Sequence, residues 1–257
     1  MIPPMTEFSD DAILGGALTI RQPRRGHRVG HDAILLAAAT PARAGEHVIE
    51  LGAGVGAAGL ALARRVPELT VTLVELDREL AEFAAKNAEL NHLSANVRAL
   101  ALDATAPART FAAAGLAPGI AARVLMNPPF NDPARQKVSP NEARRLAHAA
   151  APDVLATWVR RAALLLAPSG TLTLVWRADG LGDVLAALGR GFGGVMVMPV
   201  HGKPDAAAIR ILVRATKASR APLSLLPGLT LNDAQGRPTP EAEAVLRGLS
   251  ILSLARL

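Results

Sequence analysis

The sequence predicts an α/β protein: a Rossmann-like, seven-stranded, mostly parallel sheet with one antiparallel strand and helices on both faces. Three observations predict it. Apolar strand-like runs alternate with helical patterns along most of the 257 residues, which argues for parallel strands covered on both sides. A glycine cluster, VIELGAGVGAAG, directly follows the first core run and opens a helix. The last two runs are joined by HGKPDAAA, too short for a crossover helix, so that pair must be antiparallel.

In chain order the expected strands are Val48–Leu51, Val71–Glu75, Val97–Leu102, Arg123–Met126, Thr171–Trp176, Val195–Val200 and Ile209–Ala215. The expected helices are Ala57–Arg65, Arg78–Asn91 and Pro152–Ala167. Residues 1–45 precede the first core strand and are expected to form an N-terminal extension packing on the ligand and substrate site. Residues 46–217 make the main domain. Residues 218–257, rich in Pro and Leu, form a tail packed on it. Repeats, low-complexity tracts and an interdomain linker are not evident.

Hydrophobic residues make up 50% of the chain and charged ones 19%, so a core is available and a disordered chain is excluded. The mean hydropathy is +0.26, yet runs such as Ala33–Ala39 fall far short of the roughly 18 residues a bilayer span needs. The acidic start MIPPMTEFSDD lacks the positive region of a secretory signal, and a cytoplasmic protein is expected. With no cysteine, disulfides, thiolate metal sites and cysteine nucleophiles are ruled out. The six histidines show no ligand spacing, so no metal is assigned. The net charge is +6, and all but Lys86, Lys137, Lys203 and Lys217 of the 28 basic residues are arginines. That excess suits phosphate and nucleic acid, although an arginine-rich composition alone would also produce it.

Gly52, Gly54, Gly56 and Gly59 sit where a strand meets a helix N-terminus, where a backbone can approach a ligand closely. Gly54, Gly56 and Gly59 satisfy G-x-G-x-x-G, and Glu75 ends the next strand where an acid grips ribose hydroxyls. Both NAD and S-adenosylmethionine carry that ribose. Glu50, just before the glycines, suits the amino group of an amino-acid-like ligand and would repel a pyrophosphate. Asp103, after the third strand, is an acceptor for an adenine amino group or a helix N-cap. Acids on both sides of the loop favour the cationic S-adenosylmethionine.

The fourth strand runs straight into Asn127-Pro128-Pro129-Phe130. Two prolines lack backbone donors and fix an extended loop with free carbonyls. An amide oxygen, a carbonyl and an aromatic face then converge at the C-terminal edge of the sheet. That set suits a planar amino group on a ring: Asn127 Oδ1 and the Pro128 carbonyl accept its hydrogens, and Phe130 stacks on the ring. A loop that merely ends a strand is the bland alternative.

VIELGAGVG, VELD, ALDAT and NPPF, in this order and spacing, resemble the class I S-adenosylmethionine-dependent methyltransferases with an amino-group target. Within them the chain resembles the bacterial tRNA (adenine-N6) methyltransferases that modify the adenine beside the valine-tRNA anticodon. LTIRQPRRGHRVGHDAILLAAA, NEARRLAHAA and KPDAAAIRILVRATKASRAPL carry that likeness, which covers roughly residues 13 to 250. The resemblance implies that Gly52, Gly54 and Gly56 hold the methionine moiety, Glu75 the ribose and Asp103 the cofactor adenine. It gives Asn127, Pro128, Pro129 and Phe130 the target amine, in an RNA and first of all a tRNA. Many adenine-N6 enzymes end this motif in Tyr, whereas ribosomal RNA guanine-N2 methyltransferases often carry Phe, which keeps that target as the alternative. Release-factor glutamine N5-methyltransferases use a similar loop but carry a helical N-terminal domain for which this chain has no room. From other classes, an NAD-dependent oxidoreductase fits the glycine loop but leaves NPPF unexplained. An RNA-binding protein with a vestigial cofactor fold fits the charge.

Other positions stay open between two readings. Arg21, Arg24, Arg25, His27 and Arg28 contact RNA or line a solvated loop. Asp32 closes the cofactor pocket or caps the following helix. Arg144, Arg145 and His148 grip substrate phosphates or are surface charge. Lys203, Arg210, Arg214, Lys217 and Arg220 extend a positive rim unless strand alternation splits them. Trp158 and Trp176 are expected in the core.

Overall fold

The computed structural model describes residues 7–25, 28–129 and 154–256. Phe130, His27, Arg144, Arg145 and His148 lie outside the described residues.

A hairpin of β1 (Phe8–Ile13) and β2 (Leu18–Pro23) is followed by α1 (His31–Ala39). Then come β3 (His47–Leu51), α2 (Ala57–Arg65), β4 (Thr70–Glu75), α3 (Arg78–Leu90), β5 (Val97–Ala101), α4 (Ala108–Ala113) and β6 (Ala121–Met126). After the undescribed segment follow α5 (Val154–Leu165), β7 (Leu166–Arg177), α6 (Leu181–Leu188), β8 (Phe192–His201) and β9 (Ala208–Lys217). Two short strands, β10 (Ser224–Leu225) and β11 (Leu229–Thr230), and helix α7 (Pro240–Leu246) complete the fold.

The seven expected strands are present in the order β8-β9-β7-β6-β3-β4-β5, with β9 antiparallel to both neighbours. The sheet nevertheless has nine strands, because β10 and β11 pair in succession with the outer edge of β8. Two residues each, in a Pro- and Leu-rich stretch, they carry no alternation to recognise. The helix expected to end at Ala167 stops at Leu165, because Leu166 already pairs with Ala121 of β6.

Strand alternation divides the core between the two faces. Val48, Val71, Leu73, Leu125 and Leu212 meet Leu35, Leu60 and Val245 of α1, α2 and α7 on one face. Ile49, Leu51, Val74, Val124 and Met126 meet Phe111, Trp158 and Val184 of α4, α5 and α6 on the other. Both tryptophans are buried there, as expected. Helix α3 starts where Asp77 accepts from the Glu79 and Leu80 N–H groups, and α7 where Thr239 accepts from Ala242 just ahead of Pro240. Among the described residues, no helix is long and apolar enough to cross a membrane.

Candidate active site

From β3 the chain winds outward through β4 and β5, then returns to β6 on the other side of β3. The C-terminal ends of β3 and β6 therefore form the switch point where ligands bind in such sheets. Leu51 and Met126 are partners in the β3–β6 register. Gly52 and Asn127 consequently emerge side by side, roughly one strand spacing of ~4.8 Å apart. Glu75 pairs with Ala101, so Asp103 leaves the same edge two residues further on.

The glycines serve different ends. An added Cβ at Gly52 would overlap the Trp158 ring of α5, so this position admits no side chain. Gly54 has φ +56° and open space where a Cβ would stand, which leaves the backbone exposed to a ligand. A Cβ at Gly56 would press within 2.8 Å of Leu73, and Gly59 lets α2 close onto Leu73 and Glu50.

Glu50 and Glu75 lie on the α2 face of the sheet, Glu50 beside Leu73 in the register and Glu75 two residues beyond it. Glu50, only 4% exposed, accepts from the Gly59 N–H at 2.7 Å and so sits beneath the loop. Burial pushes its carboxyl up to about 8; the Gly59 N–H opposes this and the neighbouring Glu75 charge adds to it. Glu75 accepts from Gly54 N–H at 2.7 Å through Oε2 and from Asp77 N–H at 2.9 Å through Oε1, fixing the loop at its most open glycine. Each of its oxygens keeps a second lone pair.

Asp103 Oδ1 accepts from both the N–H and the hydroxyl of Thr105, each at 2.7 Å. It is not a helix cap, because the N-cap of α4 is Pro107, with no side-chain cap. Arg161 of α5 braces this turn: its guanidinium lies 4.4 Å over the Phe111 ring and donates to the Ala106 carbonyl.

Among the described residues, Asn127 Oδ1 is buried and has no hydrogen-bond partner. An unpartnered buried acceptor is costly, and this one stands at the switch point where ligands bind. Pro128 beside it is buried and Pro129 exposed.

Asp32 is not the N-cap of α1, which is Gly30. It stands in the first turn and pairs with Arg210 of β9 at 3.0 Å, joining α1 to the sheet. The N-terminal basic run is also engaged locally. Arg21 grips Asp10 through two contacts of 2.8 Å, Arg28 pairs with Asp11 at 2.6 Å, and Arg24 donates to the Phe8 carbonyl. Arg214 holds the Leu254 and Arg256 carbonyls of the tail, and Lys217 holds the Leu166 carbonyl. Among the described residues, no group of His, Asp or Glu has the arrangement of a metal site.

Two contacts escaped the sequence reading: the Trp158–Gly52 packing and the support of the Asp103 turn by Arg161. Neither has a local signature, because each joins segments more than fifty residues apart.

Residues 27–203 match the family profile described as methyltransferase small domain. The chain belongs to that family. Its cofactor is S-adenosylmethionine, which sets aside the NAD reading of the glycine loop. Among curated relatives of this methyltransferase, a tRNA1(Val) (adenine(37)-N6)-methyltransferase of Tolumonas auensis is 32% identical over 66% of the chain and 67% of its own length. A ribosomal RNA small subunit methyltransferase C of Hahella chejuensis is 28% identical over 58% of the chain but only 36% of its own length. A solved structure, a predicted O-methyltransferase of Agrobacterium tumefaciens, superimposes with a TM-score of 0.73 at 32% identity, covering 86% of this chain and 98% of that one.

Proposed function

We propose that this methyltransferase transfers a methyl group from S-adenosylmethionine to the exocyclic N6 of an adenine in tRNA. The observation that carries the reading is the buried, unpartnered Asn127 Oδ1 beside Gly52 at the switch point. Residues 46–217 are the catalytic domain, 1–45 an extension against the cofactor and substrate side, and 218–257 a tail along β8 and α1. The protein works in the cytoplasm.

The residues present fit the cofactor. Open backbone at Gly54 would admit the methionine end, and the spare lone pairs of Glu75 would accept from the ribose hydroxyls. Asp103, its loop held by Thr105 and Arg161, accepts from the adenine amino group. Glu50 supports the loop through Gly59, and a cation nearby would favour its charged form. When bound, S-adenosylmethionine supplies an electrophilic methyl on a positively charged sulfur.

An aromatic amine is a weak nucleophile because its lone pair is delocalised into the ring. Asn127 Oδ1 accepts one amine hydrogen and the Pro128 carbonyl the other. This favours a pyramidal nitrogen whose lone pair would point at the methyl, and the resemblance gives Phe130 the stacking on the ring that would hold it in line. Bound S-adenosylmethionine would supply the methyl, its sulfur keeping the S–C electron pair as the N–C bond forms, and water would take the surplus proton. Both acceptors strengthen as positive charge develops on nitrogen, so no strong base is required.

The tRNA target rests on the curated adenine-N6 relatives. Phe130 and the ribosomal RNA relative favour guanine-N2 in ribosomal RNA as the second reading. Incubating unmodified total RNA with the protein and labelled S-adenosylmethionine, then digesting tRNA and rRNA separately for nucleoside mass spectrometry, tests both. N6-methyladenosine in tRNA is expected; label only as N2-methylguanosine in rRNA overturns the target.

A further inference from the structure

Two asparagines four residues apart, Asn87 in the last turn of α3 and Asn91 capping its C-terminus, treat β2 as if they were a neighbouring strand. Asn91 accepts from the Thr19 N–H at 2.9 Å and donates to the Thr19 carbonyl at 2.8 Å. Asn87 accepts from the Arg21 N–H at 2.8 Å and donates to the Arg21 carbonyl at 2.9 Å. Side-chain amides four residues apart, at the end of a helix and its cap, thus pair with alternate residues of a strand edge, which matches the two periodicities.

The asparagines differ in one respect. The second Nδ2 hydrogen of Asn87 donates to the Val55 carbonyl at 3.0 Å, inside the glycine loop between Gly54 and Gly56. Asn91 instead returns its second hydrogen to the Asn87 carbonyl. Asn87 is fully buried, and one acceptor plus two donors are all matched, so the amide orientation is fixed by its partners. Glu75 holds the loop from one side at Gly54 and Asn87 from the other at Val55.

We infer that Asn87 is a positioning residue through which the N-terminal β1–β2 hairpin sets the cofactor loop. This inference rests on the cofactor reading of that loop. The hairpin then does more than cover the sheet, because its register reaches the loop through a single amide. Asn91 anchors the same hairpin without touching the loop and serves as an internal control.

The test is calorimetric titration of S-adenosylhomocysteine into the wild type, Asn87→Ala and Asn91→Ala, with thermal unfolding of each. Losing the loop contact is expected to weaken cofactor binding about five- to tenfold in Asn87→Ala, the equivalent of one buried hydrogen bond. Asn91→Ala is expected to bind within twofold of wild type despite a comparable fall in Tm. At saturating RNA, KM for S-adenosylmethionine should rise in Asn87→Ala with kcat nearly unchanged. Should the alanine variant not fold, Asn87→Asp keeps the acceptor for the Arg21 N–H while turning its contacts to the Val55 and Arg21 carbonyls repulsive, and at least the same weakening is expected. Asn87 variants that bind like wild type, or an Asn91→Ala loss as large as theirs, would overturn this inference alone. A wild type that does not bind S-adenosylhomocysteine overturns the cofactor reading and the inference with it.

Discussion

Glu50→Gln isolates the electrostatics beneath the loop. The carboxyl is buried, and its pKa rises from an ordinary 4.5 to about 8, with desolvation the main cause. Between those values the folded chain holds a proton that the unfolded chain has released. Stability contributed by this group is therefore fully present below pH 4.5 and declines as pH rises toward 8, at about 1.4 kcal/mol per unit. From pH 5 to pH 8 the loss amounts to about 3 kcal/mol, allowing for levelling off near the upper value. Glutamine keeps the shape and the acceptor for the Gly59 N–H but cannot ionise. Urea unfolding of wild type and variant at pH 5, 6.5 and 8 measures the difference directly. The variant should gain on the wild type by about 3 kcal/mol across that range, with equal m-values. A difference that does not change with pH would refute the burial argument, because it would mean Glu50 ionises as it does in water.

Other perturbations probe the site from different sides. Asn127→Ala should reduce methyl transfer at least ~100-fold while S-adenosylhomocysteine affinity, read by calorimetry, stays within about twofold; a collapse of cofactor binding would make Asn127 structural. Gly52→Ala sets a Cβ against Trp158 at φ +69° and should cost about 2–4 kcal/mol in urea unfolding. Part of that loss should return when Trp158→Leu is added, and no recovery would place the strain in the backbone alone. Asp32→Ala removes a half-buried pair with Arg210 and should lower stability by about 1 kcal/mol or less, leaving cofactor affinity unchanged. A loss of affinity would place Asp32 in the cofactor pocket.

The central strands were legible because β3, β4 and β6 are buried on both faces and therefore read as continuous apolar runs. The antiparallel β8–β9 pair followed from the shortness of its connection alone. The β1–β2 hairpin was not legible: FSDDAI alternates exposed and half-buried residues, and its charges obscure the pattern. The glycines, Glu75 and Asn127 declared themselves by position after strands. What each one touches did not. Glu50 reads as a ligand-facing acid in one dimension, and only the closure of α2 onto β4 shows it turned to Gly59. The carboxylate partners of Arg21, Arg28 and Arg210, up to 178 residues away, had no signature in the sequence.

The central claim is that the Asn127 amide oxygen receives an amine of an RNA base. Its most direct test is nucleoside mass spectrometry of unmodified tRNA and rRNA after parallel incubation with wild type and Asn127→Ala, both shown to bind S-adenosylhomocysteine equally. The account predicts labelled N6-methyladenosine in tRNA with the wild type and none with the variant. Equal label from both proteins, or label on carbon or ribose oxygen in place of an amino nitrogen, would contradict it.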